Sequence, residues 1–138
     1  MADDIDETQV LEFGLGTERY CVDISYVSEI VDTAELTPIP NAPSHVEGVM
    51  DLRGRTTSII NPKRLFDIDD NGGGERRIVV FDPDKTDQSG ATGWLVDMVD
   101  RVIRISGEDI DDPPFESNEA VQGIVKQDGT FTIWVSPN

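Results

Sequence analysis

Punctuation is what most limits the fold of this chain. No uninterrupted apolar run is longer than residues 78–81, Ile-Val-Val-Phe, and turn-forming residues separate one short apolar segment from the next. An apolar helix able to cross a bilayer needs about 20 apolar residues in a row, and none is present. The segments read as strands. Residues 10–15 and 19–24 flank Gly16-Thr17-Glu18, a hairpin signal. Residues 46–52 and 55–60 flank the tight turn Arg53-Gly54. Residues 76–81, 92–96 and 99–105 follow, with a polar loop at 82–91. Residues 121–126 and 130–135 then flank Asp128-Gly129, a strong hairpin turn.

Two short helices are expected among the strands. Tyr26, Val27, Ile30 and Val31 fall at helical spacing, with Ser25 placed to cap and Glu29 within reach of a capping-box role. Asn61-Pro62 opens a second helical turn, Asn61 as cap and Pro62 at the first helical position. Pro38, Pro40 and Pro43 keep the connection between helix and next strand extended, and 110–118, with Pro113-Pro114, is read as irregular. The pattern predicts an all-β chain, a barrel or a pair of barrels with one or two helical turns. The length of 138 residues fits one domain or two very small ones.

Charge narrows the partners. The chain carries 28 Asp and Glu against 11 Lys and Arg, a formal net charge of −17. Such a surface repels phosphate backbones and anionic lipid, so neither nucleic acid nor direct membrane contact is expected. Aspartate outnumbers glutamate and lysine is scarce, a composition that suits a salt-adapted cytoplasm where ions screen self-repulsion. The N-terminus lacks the basic and apolar regions of a secretory signal, and the lone Cys21 excludes an internal disulfide framework, so a cytoplasmic location is expected. Half of the acids lie in residues 3–7, 67–75 and 108–119, none of which holds a base. These read as a flexible acidic tail at 1–8, a Gly-rich connector at 67–75 and one late loop, around a single domain at 9–138.

Catalytic chemistry is poorly supplied. His45 is the one histidine and sits at a strand entry, Cys21 alternates with apolar neighbours as a packing residue, and no nucleophile elbow, P-loop or paired metal-ligand motif occurs. Asp67-Ile68-Asp69-Asp70-Asn71-Gly72 imitates the opening of a calcium loop, but the twelfth position, where a bidentate Glu belongs, is Ile78. A solvated linker is the better reading, and no metal or other cofactor is expected. The anomaly is an acid-free window at 52–66 holding Arg53, Arg55, Lys63 and Arg64. Guanidinium forks at a strand–turn–strand corner can grip a partner's carboxylates. Pairing with the chain's own acids is an equal expectation for Arg55 and Arg64, whereas Arg53 is read as partner-facing or site-shaping.

Residues 41–54, Asn-Ala-Pro-Ser-His-Val-Glu-Gly-Val-Met-Asp-Leu-Arg-Gly, resemble the signature of the CheW chemotaxis coupling proteins, roughly N-x-P-x-x-x-x-G-V-x-N-L-R-G. Phe13-Gly14-Leu15-Gly16, Tyr20, Val22-Asp23-Ile24, Val27 and Glu29-Ile30 resemble that family's first hairpin and helix, and Pro113-Pro114 with Gly123-Ile124-Val125 its last section. The resemblance implies two small five-stranded β-barrels around a shared apolar core. It implies a non-enzymatic adaptor linking the cytoplasmic tips of chemoreceptors to the histidine kinase CheA. Carried over, the receptor-facing groove would use Val27, Glu29, Ile30, Gly48 and Arg53; the kinase-binding surface is not implied. Val27 and Ile30 would offer apolar contact to a helical tip, with core packing as the alternative. Gly48 would admit a close backbone approach, and Arg53 would bond a receptor carboxylate or brace the groove. The family has Pro at Ser58, Asp at Asn61, Leu at Pro62 and a Leu-rich helical segment after the last strand, so the junction after Ile60 and that segment's contacts are expected to differ. A CheW-like regulatory module for another sensor kinase, or an acidic calcium-binding barrel, are the competing classes.

Overall fold

The computed structural model describes residues 7–33, 35–68, 76–86, 90–113 and 120–137. Most of the acidic tail and connector, half of the late loop, and most of the calcium-loop imitation lie outside these. Among the described residues, eleven strands and one short helix follow in chain order. They are β1 (Thr8–Leu15), β2 (Glu18–Asp23), β3 (Val27–Asp32), β4 (Val46–Leu52), β5 (Arg55–Ile60), α1 (Pro62–Leu65), β6 (Arg77–Phe81), β7 (Ala91–Val96), β8 (Met98–Ile105), β9 (Ile110–Asp111), β10 (Val121–Gln127) and β11 (Thr130–Val135).

The strands form the two expected β subdomains. A six-stranded sheet runs β8-β1-β2-β11-β10-β9, and a five-stranded sheet runs β3-β6-β7-β5-β4. The sixth strand is the two-residue β9, which falls in the stretch read as irregular. The chain thus starts in one sheet, builds the whole of the other, and returns to finish the first. Two hairpin turns have the geometry their residues predict. Arg53 and Gly54 take φ of 53° and 84°, and Asp128 and Gly129 take 51° and 78°. Two successive left-handed residues match the twist of the flanking strands.

The helix expected at 25–31 is corrected to a 3₁₀ turn at Ile24–Tyr26 followed by strand β3. Asp23 caps that turn by accepting from the Ser25 backbone N–H at 2.9 Å. The misleading spacing has a physical cause. β3 slips register against β6 between Val27 and Glu29, a bulge that inverts side-chain parity. Val27 and Ile30, three residues apart, therefore face the same core while Val31 faces another.

Alternation along β1, β2, β6 and β7 sorts the apolar residues into three layers. Leu11, Phe13 and Leu15 of β1, Tyr20 and Val22 of β2, Val79 and Phe81 of β6, and Trp94 and Val96 of β7 meet in a core shared by both sheets. Their strand neighbours Val10 and Cys21 fill a core private to the six-stranded sheet, and Ile78, Val80 and Leu95 one private to the five-stranded sheet. Phe13, Phe66 and Phe81 each lie edge-on to Trp94, at 5.2–6.1 Å between centroids. Truncating a buried aromatic such as Phe13 to Ala would cost about 3–5 kcal/mol.

Each ladder stays open among the described residues, but side chains reach across the opening. Gln127 on β10 donates from Nε2 to the Arg104 carbonyl on β8 at 3.2 Å. Arg53, at the β4–β5 turn, donates to Glu29 on β3. Laid flat, five strands would hold β3 and β4 about 19 Å apart, beyond the reach of one Arg and one Glu. The five-stranded sheet therefore curls toward a barrel, and the Arg53–Glu29 pair spans its seam.

Candidate functional site

The acid-free window folds as the β4–β5 hairpin and α1, and its four cations meet four different fates. Arg53 is held in the left-handed region, which a side chain with Cβ occupies at a cost. Its guanidinium lies on the surface and binds the half-buried Glu29 carboxylate. The hydrogen bond to Glu29, and then its negative charge, push the Arg53 pKa further above its ordinary value.

Arg64 pairs inward, donating to the Ser44 carbonyl at 2.9 Å with Glu47 at 3.9 Å. Lys63 is the exception to the reading of the window as a surface. It is 2% exposed and reaches Asp97 at 2.8 Å. Asp97 also accepts from the Gly16 backbone N–H at 2.7 Å, so this ion pair ties α1 to the β1–β2 turn across the two subdomains. Arg55 is exposed and has no ion-pair partner among the described residues.

The junction after Ile60 keeps its cap despite Asn61. Its Oδ1 accepts from the Lys63 N–H at 3.0 Å, as a carboxylate would. Its Nδ2, which an Asp would lack, donates to Glu47 at 2.9 Å. Pro62 takes the first helical position.

A cleft of about 270 Å³ opens at the seam. Ser28 and Glu29 stand on one side and Leu52, Arg53 and Arg55 on the other, with Thr57, Val80, Phe81, Pro83 and Ala91 beneath. Of the five expected site residues, the fold joins Glu29 and Arg53 here. Val27 and Ile30 are half-buried on the opposite face of β3, packed against the shared core. Gly48 lies on β4, where a Cβ would sit 2.6 Å from the Thr37 carbonyl oxygen at a φ of +153°. The close approach that a glycine permits is thus made by this chain's own Thr37, which pairs with Val49 beside it.

Sequence reasoning did not single out Pro83 or the floor of the cleft, and no local signal marked them. It also did not foresee the burial of Lys63, whose partner lies on a distant loop. Cys21 is fully buried, and burial, then the charge of Glu12, push its thiol up to about 12, which leaves it protonated and unreactive.

Comparison with known proteins places this geometry in a family. Residues 9–138 match the CheW-like domain. The chemotaxis protein CheW of Treponema pallidum is 33% identical over 96% of this chain and 81% of that protein. The chemotaxis protein CheW of Thermotoga maritima is 27% identical over 98% and 88%. The crystal structure of the scaffolding protein TtCheW from Thermoanaerobacter tengcongensis superposes with a TM-score of 0.81 at 32% identity, covering 93% of this chain and 88% of that one. With its two curled sheets, shared core and Arg-Gly corner, this chain belongs to the CheW-like family.

Proposed function

We propose that this protein is a non-enzymatic adaptor that couples chemoreceptors to the histidine kinase CheA in chemotaxis signalling. It would act in the cytoplasm at receptor arrays. The observation that carries the reading is the match along nearly the whole chain to proteins named for chemotaxis, with the Arg-Gly corner intact and seated at a cleft. Its mechanism is binding and geometry, and no cofactor enters it. Glu29 and Arg53 hold the seam cleft that meets the receptor tip, Val27 and Ile30 brace β3 from its other face against the shared core, and Gly48 sets the path of β4. Receptors and kinase would be held by different faces, in a helix-in-groove contact on the receptor side.

The test is copurification of receptor signalling tips and CheA with the full chain in high salt, followed by kinase activity of the reconstituted mixture. Capture of both with activation supports the adaptor. Capture of a different sensor kinase and not CheA replaces it with a regulatory module for that kinase.

A further inference from the structure

We infer that the seam cleft receives one glutamate side chain of the receptor tip, and that Arg55, not Arg53, supplies its counter-charge. This rests on the receptor-binding reading above and adds to it the contact that sets specificity. Arg53 is already committed: its guanidinium answers Glu29 within the fold. Arg55 stands exposed on the same rim without an ion-pair partner among the described residues. In a chain where acids outnumber bases 28 to 11, a guanidinium that no described acid pairs with, beside a cleft, matches an acid that comes from outside. In the loop after β6, Asp82 turns its carboxylate back to accept from the Asp84 N–H at 2.9 Å.

The shape of the cleft selects the kind of acid. About 270 Å³ holds a side chain, not a helix. Val80, Phe81 and Ala91 are nearly closed to solvent and join Pro83 and Thr57 in a mostly apolar floor, while on the rim Arg53 and Glu29 answer each other and Arg55 adds a positive charge. A glutamate fits both parts, its methylenes on the floor and its carboxylate against the fork of Arg55. An inorganic anion would leave the floor unused. Arg55 is also well anchored for the task. It pairs with Leu52 directly after the turn, and the Thr57 hydroxyl donates to its carbonyl at 3.3 Å.

The experiment titrates the full chain against a soluble receptor signalling tip at several salt concentrations. Arg55→Gln should weaken binding about tenfold and flatten its salt dependence, as loss of a charged contact does, with an unchanged melting temperature. Arg55→Lys should fall between, because an ammonium lacks the bidentate fork. Arg55→Glu should abolish binding to the native tip, and a single Glu→Arg change on the tip should restore it. If Arg55→Gln and Arg55→Glu bind as tightly as the native chain, the inference is overturned and the adaptor reading stands. Loss of CheA binding with tip binding intact also overturns it. Failure of the native chain to bind the tip removes both.

Discussion

Arg53 reaches across the seam of the five-stranded sheet and donates a hydrogen bond to Glu29, a residue 24 positions earlier, joining two edge strands that share no backbone ladder. The pair is exposed on the arginine side, so its role is to shape the rim more than to stabilise the fold. Arg53→Ala, Glu29→Ala and the double variant should therefore weaken receptor binding by similar factors, since each opens the same seam. Their melting temperatures should fall by no more than a few degrees. Arg53→Asn should melt above Arg53→Ala, because asparagine tolerates the left-handed turn conformation better. Additive losses of binding in the double variant would show that the two residues contact the partner separately.

Gly48 separates a structural from a recognition role. Adding a Cβ drives it to 2.6 Å from the Thr37 carbonyl, at a φ that L-residues rarely adopt. Gly48→Ala should cost about 2 kcal/mol or more of folding stability, measured by urea unfolding. A variant with native stability and weakened receptor binding would instead make Gly48 a direct contact.

Lys63 and Asp97 form a buried ion pair that ties α1 to the β1–β2 turn. Removing only the lysine leaves Asp97 with its Gly16 bond and the more distant Arg76 at 4.0 Å, but without its near-contact charge. Lys63→Ala should destabilise the protein by about 3 kcal/mol, the range for breaking a buried pair. Lys63→Met should recover part of this by filling the volume. Equal stability of Lys63→Ala and the native chain would show the pair to be dispensable.

These residues also mark what was legible in the sequence. Turn chemistry is local, so Arg53-Gly54, Asp128-Gly129 and the Asn61-Pro62 helix start are recovered with their geometry. Period-two patterning gave most strand bounds within a residue or two. β3 was misread because one bulge shifts parity and counterfeits a helical spacing at Val27 and Ile30. Features set by distant contacts were illegible. The crossing of Thr37 over Gly48, the burial of Lys63 and the lack of an ion-pair partner for Arg55 among the described residues each depend on which segments the topology brings together. The Arg53–Glu29 pair is intermediate, since the family resemblance named both residues but not their bond.

The net charge of −17 should make stability rise with salt. With 28 acids against 11 bases, the acids cannot all meet a cation, so screening relieves repulsion that folding concentrates. Melting temperature should climb by several degrees as potassium chloride is raised from low to molar concentration. A flat or falling curve would remove salt adaptation as the meaning of the composition.

Acid should act on Asp109 against that trend. Its carboxylate accepts from the Ser106 backbone N–H at 3.0 Å, from Gln127 at 3.2 Å and from the Ser106 hydroxyl at 3.3 Å. The Ser106 backbone bond, then Gln127, hold its pKa below the ordinary value of 3.8. A lowered native pKa means that the unfolded chain binds the proton first. The contribution of Asp109 is complete above 3.8 and is lost as pH falls through its native pKa. Most other carboxylates gain by protonation, because it lowers the net charge. The comparison must therefore be between variants. Asp109→Asn keeps an acceptor for Ser106 but cannot titrate. Its stability relative to the native chain, measured by urea unfolding, should improve between pH 5 and roughly pH 3, the span over which such a carboxylate protonates. A constant difference across that range would show that Asp109 titrates alike in the folded and unfolded chain.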